Sequence, residues 1–384
     1  MYSNCLRPVL MTVCILLAFG SASAQEGLKL KYDNSVVYAG IEVGSKGVKM
    51  SLLELGKDSK TNGTFNILKD SSVNTDFISF TQPTFSATLD GLSNLYNTAL
   101  TKYNIPSNRV FTVVSSGVKL QAEKEEKTSW VNNLVDSFKL KIKDPKRNVE
   151  VVDAFQEARL SHLGIVPPTK RFSIFLIDIG SGNTKGGYFP IDDNTSDFKL
   201  FTFNWGTKSV TNATEKKMDE FDKTLTNYSR QLNRTLLSIE NAELIYAVNS
   251  SGAYAMNDYI AFSGGIVWAA ATLLQPENID NPVVNVTYED VQKLTEQLFS
   301  DYGSLSEAEL VKNIKNPNAD KAAIAKEIKR VHGVFDQKSL MAGAGLLLKI
   351  MRQFKSVYES KGFFFVKNGQ VGWVSAYVDQ TISR

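Results

Sequence analysis

Residues 175–190 read FLIDIGSGNTKGGYFP, in which Asp178 closes an apolar run, Gly180, Ser181, Gly182 and Asn183 make a turn, and Thr184 and Lys185 open a second run. A glycine turn offers successive backbone N–H groups to an anion and keeps side chains out of its way. Asp178 would repel that anion unless a divalent cation lay between them, and a carboxylate with several waters is the usual way Mg²⁺ is held beside phosphates. A weaker copy, YAGIEVGSKGVKMSLLEL, occupies residues 38–55 and supplies Glu42, Gly44, Ser45, Lys46 and Gly47. Two such hairpins, one from each of two domains, would grip a single phosphate group from both sides.

Other chemistries find less support. His162 and His332 have no partner at metal-ligand spacing, and Ser250-Ser251-Gly252 lacks the glycine frame of a nucleophile elbow. Both cysteines, Cys5 and Cys14, fall in an N-terminal stretch that reads as a secretory leader. Arg7 precedes an apolar run from Val9 to Phe19 that is too short to span a bilayer, and Gly20-Ser21-Ala22-Ser23-Ala24 ends it with a cleavage site after Ala24. The expectation is a secreted or periplasmic protein without stable membrane insertion and without thiol chemistry. The formal charge of +3, from 43 basic and 40 acidic residues, sets up no field for nucleic acid. A basic run at 139–147, KLKIKDPKR, reads as a short strand with Lys139, Lys141 and Lys143 on one face, able to guide a polyanion.

The elements that must hold these loops follow from periodicity. At 384 residues, 43% hydrophobic and 22% charged, the chain has material for two or three cores. Strands are expected at 36–42 and 48–55, with a third at 65–68 or 77–80, then a helix over 86–102, a strand at 110–114, a helix over 122–138, a strand at 148–152 and a helix over 154–163. Pro167 and Pro168 break the chain, and the order then restarts. Strands are expected at 172–178, 184–189, 198–204 and 244–248, with a long helix over 212–237, a glycine turn at 263–265 leading into a helix, and further helices near 288–301, 319–331 and 340–360. The repeated plan predicts an α/β protein of two domains, 36–165 and 166–384, preceded by a linker at 25–35, facing a cleft.

In order along the chain, these segments resemble the exopolyphosphatase and guanosine pentaphosphate phosphohydrolase family of the actin-like superfamily. AGIEVGSKGVKM at 39–50 and IDIGSGNTK at 177–185 are similar to its two phosphate loops, VVSSGVKLQAE at 113–123 to a phosphate-contacting turn, and DAFQEARLSHLGI at 153–165 to its Glu-Glu-Ala-Arg-Leu segment. NWGTKSVT at 204–211, FSGGIVWAAATLL at 262–274 and SLMAGAGLLLKIM at 339–351 extend the resemblance. It implies two actin-like (ribonuclease H-like) domains with mixed β-sheets flanked by helices, and a phosphoanhydride hydrolase acting on polyphosphate or a nucleotide, with a homodimer left open. Glu157 would activate water, and Glu42 and Asp178 would hold Mg²⁺. Gly44, Ser45, Lys46, Gly47, Ser115, Ser116, Gly117, Gly180, Ser181, Gly182, Asn183, Thr184 and Lys185 would cradle phosphate. Lys185 stands where the family has a glutamate, which favours a rival reading as a non-catalytic phosphate-chain binder. An apyrase-like nucleotide hydrolase is a third reading.

Overall fold

The computed structural model describes residues 28–56, 66–191, 194–355, 361–367, 369 and 372–382. The leader read at residues 1–24 lies outside them.

Among the described residues, strands β1 (Val36–Val43), β2 (Gly47–Leu55), β3 (Asn66–Asn74), β4 (Val110–Val114) and β5 (Val149–Val151) form one sheet in the order β3-β2-β1-β4-β5. The first three make an antiparallel meander, and β4 and β5 add in parallel after helical crossovers. Helices α1 (Gln82–Thr101), α2 (Ser116–Lys124) and α3 (Thr128–Lys141) follow the meander and β4. Side chains from α1 and α3, Leu92 and Phe138 among them, cover Ile41 and Val114 on one face of the sheet. Helix α4 (Ala154–Ile165) lies on the opposite face.

The second sheet repeats the plan. Strands β6 (Ile174–Ile179), β7 (Thr184–Tyr188) and β8 (Lys199–Phe203) form the meander, and β9 (Tyr259–Ser263), β10 (Val283–Val286) and β11 (Gly362–Val366) complete the order β10-β11-β9-β6-β7-β8. β9 runs parallel to β6, as β4 does to β1. Around this sheet pack α5 (Thr207–Lys216), α6 (Leu225–Ile239), α7 (Ile245–Ser251), α8 (Gly265–Leu274), α9 (Tyr288–Ser300), α10 (Lys321–Val334) and α11 (Gln337–Phe354). The last described helix, α12 (Gly372–Ile382), crosses back to the first sheet. Trp373, Val374 and Val378 join Leu53, Val113 and Leu160 there in one cluster. It meets α4 glycine to glycine: a Cβ on Gly164 would stand 2.1 Å from the Gly372 carbonyl oxygen.

Four expected elements differ. Residues 244–248 are helical rather than a strand, because Leu244, Ala247 and Val248 are buried while Ile245 and Tyr246 are exposed, which is helical and not alternating spacing. The run at 139–147 is also no strand. α3 continues to Lys141 with Val131, Leu134 and Phe138 buried at helical spacing, so the three lysines share no face, and Arg147 is engaged with Tyr96 and the Ser107 and Val110 carbonyls. The helix expected over 212–237 is split into α5 and α6 by a turn in which Thr224 caps α6. The helix expected over 122–138 is interrupted at 125–127, its two parts belonging to α2 and α3. The third strand takes the first of its two expected places, as β3 at 66–74, and residues 77–79 form a single 3₁₀ turn.

Candidate functional site

The site begins with two hairpins. In the first, the β1–β2 register sets Glu42 opposite Lys49, and in the second the β6–β7 register sets Asp178 opposite Lys185. An acid and a lysine seven residues on therefore occupy the same place in both. The turns are tight: Gly44 and Gly47 exchange backbone hydrogen bonds of 2.9 and 3.3 Å, and Gly180 N donates to Asn183 O at 3.0 Å. Helix α5 holds the second turn from outside. The N–H groups of Thr207, Lys208 and Ser209 at its N-terminus donate to the carbonyls of Gly180 and Ser181, which turns those carbonyls away from the cleft.

Three loops from two domains then converge. A Cβ on Gly117 would stand 3.1 Å from Asn183 Oδ1 and 3.3 Å from Ser45 Oγ, and one on Gly182 would stand 3.2 Å from the same Ser45 Oγ. Glycine at these two positions is what allows the approach. Across the junction, Asn183 Nδ2 donates to Ser116 Oγ at 3.4 Å and Gln121 Nε2 to Gly182 O at 3.3 Å. The Ser181 hydroxyl is buried with no hydrogen-bond partner among the described residues, a donor left for a ligand. The loops enclose a cavity of about 480 Å³.

Glu157 lines this cavity from the first turn of α4, whose Asp153 cap accepts from Gln156 N at 2.8 Å. Its Oε2 accepts from Ser116 N, the start of α2, at 2.6 Å. The carboxylate thus faces two helix N-termini, where negative charge is favoured. Its Oε1 lies 2.9 Å from Lys185 Nζ, and that ammonium is also 2.9 Å from Asp178 Oδ2. Ser263 Oγ donates to the other Asp178 oxygen at 2.8 Å. Burial alone would push the Lys185 ammonium down, but the Asp178 and Glu157 carboxylates together hold it above the usual lysine range.

Glu42, also in the wall, has no such partner at hydrogen-bond distance among the described residues. Burial pushes its carboxyl up to about 7, against the pull of Lys49. Lys46 leaves the first turn to reach the other domain, with Nζ 4.3 Å from the centre of the Phe335 ring and 3.4 Å from Val334 O. Lys208 and Asp76 form a second ion pair between the two halves.

Of the residues named from sequence, Glu42, Gly44, Ser45, Lys46, Gly47, Ser115, Gly117, Glu157, Asp178, Gly180, Ser181, Gly182, Asn183 and Lys185 line the one cavity. Thr184 and Ser116 do not. Thr184 precedes Lys185 on β7 and points to the other face, its hydroxyl donating to Trp205 O at 2.7 Å, while Ser116 contributes its N–H to Glu157. Sequence reasoning missed Ser263, Asp70, Trp268, Arg330 and Phe335, which come from strands and helices far along the chain. Ser263 had a detectable signal, standing just before the glycine pair that opens α8.

The donors do not fit the expected Mg²⁺. A divalent ion between Asp178 and the phosphate needs free carboxylate oxygens. Both Asp178 oxygens are engaged, an ammonium stands beside them, and Glu42 keeps its proton until about pH 7. No cluster of three or more metal-ligating side chains occurs among the described residues.

No protein-family model matches the chain, and no curated protein matches it by sequence. The fold recurs in solved structures. The Ppx/GppA family member of Aquifex aeolicus aligns over 91% of this chain and 98% of its own at 15% identity, with a TM-score of 0.57. An exopolyphosphatase-like protein aligns over the same shares at 14% identity and a TM-score of 0.62. An exopolyphosphatase from Cytophaga hutchinsonii aligns over 90% of this chain and 98% of its own at 13% identity and 0.54. The chain has their two-domain actin-like fold. No described helix is long and apolar enough to cross a membrane.

Proposed function

We propose that the cleft takes the terminal phosphate of a phosphoanhydride chain, inorganic polyphosphate or a nucleoside polyphosphate, and hydrolyses the terminal anhydride. The observation that supports this most is the convergence of the turns at 44–47, 115–117 and 180–183 on Glu157 within one interdomain cavity. Neighbours of the same fold include a protein described as an exopolyphosphatase.

In this reading a water oxygen attacks the terminal phosphorus while Glu157 accepts its proton. The bond from phosphorus to the bridging oxygen breaks, the shortened chain keeps that oxygen and its electron pair, and inorganic phosphate is released. Such phosphoryl transfer depends on positioning and charge neutralisation more than on covalent chemistry. Backbone N–H groups of the turns and the hydroxyls of Ser45, Ser115 and Ser181 position the phosphate. An ammonium has three donors, and Lys185 spends two of them on Asp178 and Glu157, leaving one for a phosphate oxygen. The leader read at residues 1–24 would deliver this activity outside the cytoplasm.

The test is phosphate release from tripolyphosphate or ATP by the purified mature protein. A general base contributes about 10²–10⁴-fold, so Glu157→Gln should lose at least the lower figure, and a wild-type protein that releases no phosphate would remove the hydrolytic reading. A second reading, binding without turnover, is favoured by the direct Lys185–Glu157 pair, which already engages the carboxylate meant to take the proton. Tripolyphosphate binding without release, unchanged in Glu157→Ala, would select it.

A further inference from the structure

Lys185 is buried among carboxylates, against Asp178, one of the two acids expected to hold Mg²⁺. Its Nζ stands 2.9 Å from Asp178 Oδ2 and 2.9 Å from Glu157 Oε1. The two remaining oxygens of these acids are held by Ser263 Oγ at 2.8 Å and Ser116 N at 2.6 Å. The arrangement is built into the sheet, since Asp178 is opposite Lys185 on β7 and opposite Ser263 on β9. It needs no ligand to form. A divalent ion bound to oxygens at about 2.0–2.6 Å would have to displace the ammonium or lie against it.

We infer that the Lys185 ammonium fills the place between Asp178 and Glu157 that a divalent cation would take, so that the cleft excludes metal and meets a phosphate chain with its own positive charge. Lys49, opposite Glu42 in the matching register of the first hairpin, and Arg330 add positive charge to the wall of the same cavity. A lysine ammonium is a compact point charge with three rotatable donors, so it can satisfy two carboxylates and still donate to a phosphate oxygen. The consequence for the chain's use of substrate rests on the cleft being a phosphate site, but exclusion of metal does not.

Two measurements keep these apart. Electron paramagnetic resonance of Mn²⁺ alone, titrated into wild-type protein, should show no stoichiometric uptake. Lys185→Gln, which leaves two carboxylates facing a vacated position, should gain about one equivalent per chain, and Lys185→Gln/Asp178→Asn should lose it again. One equivalent taken up by wild type and abolished in Asp178→Asn would overturn the inference, and this arm needs no lysine variant to fold. In parallel, tripolyphosphate binding is measured in excess EDTA. Binding there with Mn²⁺ refused supports the inference in full. Binding only after a divalent ion is added overturns it. No tripolyphosphate binding in either medium, with Mn²⁺ still refused, removes the phosphate reading of the cleft and leaves metal exclusion supported.

Discussion

Lys185 on β7 and Glu157 on α4 form a buried ion pair at 2.9 Å, joining the second sheet to the helix that packs on the first. Lys185 has a second carboxylate, Asp178, at the same distance. The two partners are therefore unequal. Removing the lysine strands two buried acids, whereas removing Glu157 leaves Lys185 paired with Asp178. Lys185→Met should lower the unfolding free energy by about 3–5 kcal/mol, and Glu157→Gln by about 1–3 kcal/mol. Urea denaturation of both variants checks this, and equal losses would mean that Lys185 does not bridge the pair.

Adjacent glycines before α8 should behave differently. Gly264 has a φ of +106°, and a Cβ there would stand 2.2 Å from the Ile179 carbonyl oxygen, one residue from Asp178. At Gly265 the nearest atom is the tip of the Phe335 ring at 3.3 Å, which a side chain can yield. Gly264→Ala should cost at least about 1–3 kcal/mol through backbone strain alone and disturb Asp178. Gly265→Ala should stay within about 0.5 kcal/mol. Thermal denaturation separates them, and similar melting temperatures would show that the turn is free to move.

The hairpins were legible in the sequence because glycine and an acid punctuate otherwise apolar strands, and both turns fall where that punctuation stands. The direction of Lys185 was not legible. All five residues of β7 are buried, so no alternation of polar and apolar types indicates which face the lysine takes. The matching spacing from Glu42 to Lys49 and from Asp178 to Lys185 was the available clue, since equal register in two duplicated hairpins sends both lysines to the same side. Residues 244–248 misled for a different reason. Their aromatic and β-branched types favour strand locally, but the preceding Glu240 is drawn inward by Lys349, Arg352 and Gln353 from more than a hundred residues away.

Glu54 should govern the acid limb of stability. It is buried on β2 and accepts from Lys31 N, Tyr32 N, Ser35 Oγ and Asn66 Nδ2 at 2.7–2.9 Å, fastening the chain before β1 to the sheet. Burial alone would raise its pKa, but these donors outweigh it and hold the carboxyl near 2, against an ordinary value of 4.5. A depressed acid contributes stability that is complete above 4.5 and is lost as the pH falls through about 2. Glu54→Gln should therefore be less stable than wild type at neutral pH and show a shallower loss on acidification. A melting-temperature profile against pH tests it, and parallel curves for the two proteins would exclude Glu54 as the source.

Glu42 should act with the opposite sign. Its folded carboxyl titrates at about 7 rather than 4.5, chiefly through burial, with Lys49 offsetting part of that. Below 4.5 both folded and unfolded chains hold the proton, and Glu42 is neutral to stability. Between 4.5 and 7 the unfolded chain gives up its proton while the folded chain keeps it, so folding is penalised by about 1.4 kcal/mol for each pH unit. Above about 7 the penalty is complete, at roughly 3 kcal/mol. Glu42→Gln carries no ionisable group and should match wild type below 4.5 but exceed it above 7, by up to that amount. The same substitution keeps the wall of the cleft uncharged, so tripolyphosphate affinity, which should fall in wild type as Glu42 ionises, should stay level in the variant. Urea midpoints and binding isotherms across this range test both effects. A wild-type affinity that does not weaken through pH 7 would show that Glu42 does not face the bound anion.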